Sequence, residues 1–164
     1  MQLLSVIIPV YNNERTLKEL HRMLVELCGK VDKLETEFIF VDDGSSDSSL
    51  EIIKKLPSAD ASVKYVKFSN NFGQVTAIVA GLQKAKGDAV VIRSADLQDP
   101  VSLIHQFIEG WQAGNQMVVA HRNKRSDGLV NRMQSALYYK AIRTVSPKMP
   151  KGGFDYCLLD RKVV

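Results

Sequence analysis

Val90-Val91-Ile92-Arg93-Ser94-Ala95-Asp96-Leu97-Gln98-Asp99-Pro100 runs from an apolar, β-branched stretch into a short polar cluster, and Pro100 then opens a helical pattern. The apolar part reads as a buried strand. Its end delivers Asp96 and Gln98 to the carboxyl edge of a sheet, where open α/β folds bind their ligands. Hard cations such as Mg²⁺ or Mn²⁺ are held at such edges by one or two carboxylates together with substrate phosphates. The plain alternative is a polar strand-to-helix loop with Pro100 at the first helical position. The surrounding sequence has to choose between them.

Outward from this stretch the same pattern recurs. Strands are predicted over residues 4–9, 38–41, 63–68, 89–92 and 117–120, with helices between them. Asn12 or Asn13 is the expected cap of the first helix, where Leu17, Leu20, Met23, Leu24 and Leu27 fall at helical spacing and Gly29 supplies a stop. A second helix is expected to run to Leu56 and close at Pro57, a third, after the loop 69–73, through Ile78 and Leu82 to Gly87, and a fourth after Pro100. Beyond His121 lie a polar loop (122–128), a helix (129–145) and a segment rich in Pro, Lys and Gly (146–153). Alternation at these intervals predicts an α/β layered fold with a mainly parallel, Rossmann-like sheet flanked by helices. In such a sheet one edge collects Tyr11, Asn13, Asp42, Asp43, Asn71, Gly73, Asp96, Gln98 and Arg122.

Composition narrows the class. The 164 residues, 45% apolar and 24% charged, suffice for one domain with a sizeable core. No apolar run approaches the ~20 residues of a membrane span, and the N-terminus lacks a signal-peptide profile. Cys28 and Cys157 make neither a disulfide framework nor a zinc site, so a reducing, cytosolic setting is the expectation. The net charge of +4 is unevenly placed. Residues 1–120 carry 12 Lys and Arg against 15 Asp and Glu, whereas residues 121–164 carry 10 against 3. That split suits either a solvated basic face or an anionic partner. His21, His105, His121, Cys157 and Trp111 are read as packing or surface residues.

Several carboxylates, a divalent cation and a basic loop together suit a substrate bearing a diphosphate. A dinucleotide-binding domain would need glycines after the first strand, and Pro9-Val10-Tyr11-Asn12-Asn13-Glu14 has none. The Walker phosphate loop is absent too.

Five stretches occur in a telling order: Ser5-Val6-Ile7-Ile8-Pro9-Val10-Tyr11-Asn12-Asn13-Glu14, Val41-Asp42-Asp43-Gly44-Ser45-Ser46-Asp47, Asn70-Asn71-Phe72-Gly73-Gln74, Ala95-Asp96-Leu97-Gln98-Asp99-Pro100 and Gly153-Phe154-Asp155-Tyr156-Cys157-Leu158-Leu159. Together they resemble the family 2 glycosyltransferases, in particular the polyprenyl-phosphate branch similar to dolichyl-phosphate mannose synthase and bacterial undecaprenyl-phosphate sugar transferases. The resemblance covers nearly the whole chain. It implies a single GT-A domain over 1–164 that transfers a sugar with inversion from a UDP- or GDP-sugar to a polyprenyl phosphate. It further implies continuation into amphipathic and transmembrane helices, placing the whole protein at the cytoplasmic face of the membrane. A homo-oligomer is compatible, and no nucleic-acid partner is expected.

By match to the family's motifs, Pro9, Tyr11, Asn13 and Asp42 line the nucleoside pocket, supported by Asp43. The 94–96 stretch (Ser94, Ala95 and Asp96) meets the donor diphosphate. Asp96 coordinates Mg²⁺ or Mn²⁺ with Gln98 as a further oxygen ligand. Arg122 meets phosphates of donor or acceptor, Arg125 assists, and Asp155 orients or activates the acceptor. A hydroxyl acceptor would need a carboxylate base. A lipid phosphate is already anionic and needs mainly positioning, so Asp155 is read as an orienting group first and a base second. The basic balance of 121–164 favours the lipid phosphate, and an anionic membrane surface contributes roughly 1 kcal/mol per nearby Lys or Arg.

The family's usual Asp-x-Asp is here Ser94-Ala95-Asp96, and Asn13 stands where many relatives carry glutamate. Three readings follow. Asp96, Gln98 and phosphate oxygens complete the metal shell; or metal dependence is weaker, with Arg93 or Arg122 supplying charge; or the chain binds a nucleotide sugar without turning it over. A saccharide hydroxyl as acceptor is the alternative within the enzyme reading.

Overall fold

Gln2–Val10 (β1) is buried from Leu4 to Val10, which places it inside a sheet with layers on both faces. The computed structural model describes residues 1–57, 62–120 and 156–164. The chain divides into two compact units, Met1–Val119 with Asp155–Val164, and Ala120–Phe154. Every element below belongs to the first. The expected helix at 129–145 and the loops around it lie outside the described residues.

Around β1 follow Leu17–Cys28 (α1), Leu34–Asp42 (β2), Ser49–Lys54 (α2), Ser62–Lys67 (β3), Gln74–Lys84 (α3), Ala89–Ile92 (β4), Leu103–Gln112 (α4), Met117–Val119 (β5) and Cys157–Asp160 (β6). The sheet order is β3-β2-β1-β4-β6-β5. β1 pairs in parallel with both β2 and β4, and β2 in parallel with β3. β6 runs antiparallel between β4 and β5. The sheet is therefore mixed but mainly parallel, as the alternation predicts. The wedge at β6 was not legible, because four residues, Cys-Leu-Leu-Asp, carry no periodicity.

Chain order runs outward from β1 through β2 to β3, then returns to β4 on the other side. That reversal makes the β1/β4 boundary a topological switch point, where the following loops splay apart and leave a crevice. Asp96 follows β4 at that boundary, and Asp42 and Asp43 lie at the end of β2, one strand away.

Two helix starts differ from expectation. α1 begins at Leu17 with Thr16 as cap residue and no side-chain capping bond. Asn12 and Asn13 cannot serve, because their side-chain oxygens accept hydrogen bonds from Ser46 N–H and Tyr11 N–H. α4 starts at Leu103, and Pro100 lies outside it with its carbonyl accepting from Leu103 N–H at 3.2 Å and the Tyr156 hydroxyl at 3.1 Å. The apolar faces are largely as expected, with Met23, Leu27 and Leu103 half-buried. α1 buries Leu17, Leu20, His21 and Leu24, and α4 buries Ile104, Phe107, Ile108 and Trp111. α3 lies so close to β1 that a Cβ on Gly81 would stand 2.4 Å from Ile7 Cγ2.

At the amino edge of the sheet one carboxylate binds four segments together. Glu37 Oε1 accepts from Ser5 Oγ at 2.6 Å and from Lys86 N–H at 2.6 Å, and Oε2 takes the Lys64 ammonium. Gly87 N–H donates to Ser5 Oγ at 2.8 Å. Burial pushes the Glu37 carboxyl up, but the bonds from Lys64, Ser5 and Lys86 outweigh it and hold it below its ordinary value. His121 lies outside the described residues, and the other residues of bland reading pack or face solvent. His21 sits edge-on to Phe38, Trp111 Nε1 donates to Asp160 Oδ2 at 2.6 Å, Cys157 is buried, and His105 is exposed beside Glu109.

Candidate active site

A cleft of about 300 Å³ lies over the carboxyl ends of β1, β2 and β4, lined by Pro9, Val10, Tyr11, Asn13, Asp43, Asn71, Gly73, Gln74, Ser94 and Asp96. Two larger hollows exist. One of about 710 Å³ lies at the amino edge around Glu37, and one of about 480 Å³ lies between α1 and α2. Size does not decide here. The buried carboxylate at the first, Glu37, is already engaged on both oxygens, and the second is mostly apolar, so the smaller cleft is where unengaged polar chemistry converges.

The wall from the β1 end is built by side chains reading backbone. Asn12 adopts the left-handed conformation at φ 54°, its N–H donates to Ser45 Oγ at 3.0 Å, and its Oδ1 accepts from Ser46 N–H at 2.9 Å. Asn13 N–H donates to Ser49 Oγ at 2.9 Å, and Glu14 and Asp47 exchange further bonds with each other's neighbourhood. The loop after β1 is thereby stitched to the loop after β2, which leaves Tyr11 half exposed at the cleft mouth.

Adjacent carboxylates after β2 have different duties. Asp43 accepts Phe72 N–H at 2.7 Å and Gly73 N–H at 2.9 Å, so it fixes the loop before α3. Gly44, at φ 69°, lets this happen, since a Cβ there would lie 2.5 Å from the Asn70 carbonyl carbon. Asp42 is 1% exposed; its Oδ1 accepts from Ser45 N–H at 3.3 Å, while Oδ2 is buried with no hydrogen-bond partner. An orphaned buried acceptor costs about 1–3 kcal/mol unless something donates to it.

After β4 the loop is shaped to present Asp96. Leu97 is left-handed at φ 59°, and Gln98 N–H donates to Asp96 Oδ1 at 3.1 Å. Asp96 Oδ2 takes no hydrogen bond among the described residues. Ala95 is fully buried, and its carbonyl accepts from Thr16 Oγ1 at 2.6 Å.

The structure thus brings Pro9, Tyr11, Asn13, Asp43, Ser94 and Asp96 into one cleft. Asp42 stands behind its wall, and the exposed Gln98 is not among the lining residues. Arg122, Arg125 and Asp155 lie outside the described residues. Val10 and Gln74 join the lining without having been singled out. Gln74 ends the quoted Asn-Asn-Phe-Gly-Gln motif, and that was the available signal.

No group of three or more His, Cys, Asp or Glu among the described residues could hold a metal ion by itself. A cation sharing Asp96 with the Ser94 hydroxyl and substrate phosphates does fit the donor set. Mg²⁺ in particular keeps few protein ligands beside phosphate oxygens and water.

Comparison with known proteins agrees with this geometry. Residues 5–164 match Glycosyl transferase family 2. A putative glycosyltransferase of Bacillus subtilis, CsbB, is 39% identical over 163 residues, covering 99% of this chain and 49% of its own length. The bactoprenol glucosyl transferase of Shigella phage SfV is 38% identical over 163 residues, covering 98% of this chain and 53% of its own. The chain spans about half the length of the curated relatives it matches. Among solved structures, glucosyl-3-phosphoglycerate synthase from Mycobacterium tuberculosis with UDP superposes at TM-score 0.68 over 99% of this chain and 58% of its own, with 21% identity. The Pyrobaculum calidifontis mannosyltransferase with GDP-Man and Mn²⁺ superposes at 0.66 over 98% of this chain and 45% of its own, also at 21%. These neighbours share the fold, a mixed sheet with flanking helices of the GT-A type. With the motif order, the family match and the curated relatives in agreement, the chain belongs to glycosyl transferase family 2.

Proposed function

We propose that the complete protein transfers a sugar from a nucleotide-sugar donor to a polyprenyl phosphate, with inversion and with the help of a divalent cation. The observation that carries this reading is the Asp96 carboxylate lining one cleft with Pro9, Tyr11, Asn13 and Ser94, backed by a buried Asp42 oxygen that lacks a hydrogen-bond partner. The names of the bactoprenol glucosyl transferase relatives support the acceptor.

In this reading the nucleoside lies against Pro9, Tyr11 and Asn13. A base N–H donates to Asp42, which removes the cost of its orphaned oxygen. Asp43 does not touch the donor but fixes the neighbouring loop. Asp96 and Ser94 receive the diphosphate end. Asp96 and Ser94, with phosphate oxygens, would hold a divalent cation there, which would supply charge neutralisation for the departing diphosphate. An oxygen of the acceptor phosphate attacks the anomeric carbon from the face opposite the leaving group. One carbon–oxygen bond forms as the other breaks, so the configuration inverts. Being anionic already, that phosphate needs no base. Asp155 orients it, and Arg122 and Arg125 balance its charge. Gln98 is better read as the residue whose backbone N–H sets Asp96 than as a ligand.

No helix among the described residues is long and apolar enough to cross a membrane. Contact with an anionic membrane surface is assigned to the basic residues of 121–164.

The test supplies the complete protein with UDP- and GDP-sugars, Mn²⁺ or Mg²⁺, and undecaprenyl phosphate, and measures released nucleoside diphosphate. Release only when all three are present supports the reading. Equal release with a soluble saccharide and no lipid, abolished by Asp155→Asn, would replace it with the hydroxyl-acceptor reading.

A further inference from the structure

Arg93 is the first residue past the β4 ladder and is 1% exposed. None of the ion pairs among the described residues involves it. Burying a guanidinium costs folding free energy, and replacing such a charge by an apolar side chain is often neutral or stabilising. Stability alone is therefore a weak account of its presence.

Its contacts suggest another account. Arg93 Nε donates to the Ser94 carbonyl at 3.1 Å, and Nη2 reaches the Asp99 carbonyl at 3.4 Å. Those carbonyls flank Asp96 on either side. The rigid fork of the guanidinium spans them as a lysine could not. Nη1 is buried and has no partner. The guanidinium lies over the Tyr156 ring, 5.4 Å from its centroid. The meeting follows from register, since Ile92 pairs with Cys157 in the antiparallel β4–β6 ladder and the next residue out on each strand is Arg93 and Tyr156. The Tyr156 hydroxyl donates to the Pro100 carbonyl at 3.1 Å, and its ring stands edge-on to Phe107 at 4.9 Å. Burial pulls the Arg93 pKa down while Tyr156 and the carboxylates of Asp99 and Asp96 pull it back, and burial pushes the Tyr156 phenol up to about 12. Tyr156 is thus a neutral donor at any working pH.

We infer that Arg93 and Tyr156 are positioning residues for the 94–100 loop. Together they hold the Ser94, Asp99 and Pro100 carbonyls from beneath, so that Asp96 is presented to the diphosphate end of the donor without reorganisation. The pair touches no ligand and acts through the loop. It also compensates for Ser94, because one fixed carboxylate in the right place can do what two mobile ones would share. This inference rests on the donor reading given above.

The test uses the complete protein with Arg93→Met, Arg93→Lys and Tyr156→Phe. It measures the melting temperature without ligand, and UDP and GDP affinity with and without Mn²⁺ by calorimetry. Arg93→Met is expected to melt at or above wild type yet bind nucleoside diphosphate with Mn²⁺ about tenfold more weakly, the loss of charge-assisted bonds that act only through loop shape. Arg93→Lys keeps the charge and is expected to rescue little of it. Tyr156→Phe keeps the ring contact and loses one neutral hydrogen bond, so about a fivefold loss is expected with little change in melting. Affinity unchanged in Arg93→Met while wild type binds would overturn the positioning role alone, as would an affinity that falls only as far as melting does. A wild-type protein that binds no nucleoside diphosphate under any metal condition would sink the donor reading itself.

Discussion

The two edges of this sheet use carboxylates in opposite ways. At the amino edge, Glu37 is engaged on both oxygens by a hydroxyl, an amide and an ammonium. At the carboxyl edge, Asp42 keeps a buried oxygen without a partner and Asp96 keeps one free of hydrogen bonds among the described residues. Both edges are polar, and both gather residues distant in sequence. A satisfied buried network stiffens a fold, whereas an unsatisfied one stores a cost that a ligand can remove. The difference separates a structural bolt from a site more reliably than cavity size, which favours the bolt.

Asp43 refines the contrast, because it stands at the site and behaves like the bolt. Its two oxygens are taken by Phe72 and Gly73 amides. Adjacent carboxylates in one motif thus divide into one that shapes the loop and one that keeps a buried oxygen without a hydrogen-bond partner.

The largest effect expected is at the carboxyl edge. Asp96→Ala should lower turnover by about 10²- to 10³-fold, as for loss of one preorganised electrostatic group, with melting within a degree or two of wild type. Sugar-transfer rates compared with thermal melts check it, and undiminished turnover would end the assignment of Asp96. At the amino edge the pattern should invert. Glu37→Gln should cost about 2 kcal/mol in urea unfolding, by weakening a buried hydrogen-bonded charge, while leaving nucleotide affinity unchanged. Ser94→Asp should tighten Mn²⁺ binding about tenfold in the presence of nucleoside diphosphate, since a carboxylate suits a hard cation better than a hydroxyl. An unaltered manganese titration would mean that Ser94 does not face the cation.

The smallest effect concerns a titrating group away from both edges. Burial holds the His21 imidazole below its ordinary pKa of 6.5, so the unfolded chain binds the proton more readily. Its stabilising contribution is complete above pH 6.5 and is lost as pH falls below that value, by at most about 1.4 kcal/mol per pH unit. His21→Phe should flatten that acid limb, and unfolding curves between pH 5 and 7 would show it. An equally steep limb in the variant would assign the acid sensitivity elsewhere.

Much of this was legible in the sequence because it lies in periodicity and in strand-end chemistry. β4 was expected at the bounds it has, and Pro9, Tyr11, Asn13, Asp43, Ser94 and Asp96 do meet. What escaped prediction depends on tertiary partners. Nothing local distinguishes Asp42 from Asp43, whose duties differ only because Phe72 and Gly73 fold back onto one of them. Asn12 and Asn13 look like helix caps until the loop after β2 engages Asn12 and the backbone of Tyr11 engages Asn13. Arg93 and Tyr156 are far apart in the chain, and only the β4–β6 register brings them opposite each other.

That register also sets an order of assembly. β4 takes one edge from β1, already made, and must wait for the other until Cys157–Asp160 has been synthesised. β5 cannot enter the sheet before then, since β6 is its one partner strand among the described residues. Emerging from the ribosome, β1 to β4 can associate early through parallel pairing over helical crossovers, leaving a hydrophobic strand edge exposed along Ala89–Ile92. Closing that edge waits on a strand made well after Ile92, so it should be a slow step of folding and a moment of risk from aggregation. The strand that completes the sheet is also the one that brings Tyr156 under the 94–100 loop, so the donor loop gains its final shape only when the fold has no open edge left at β4.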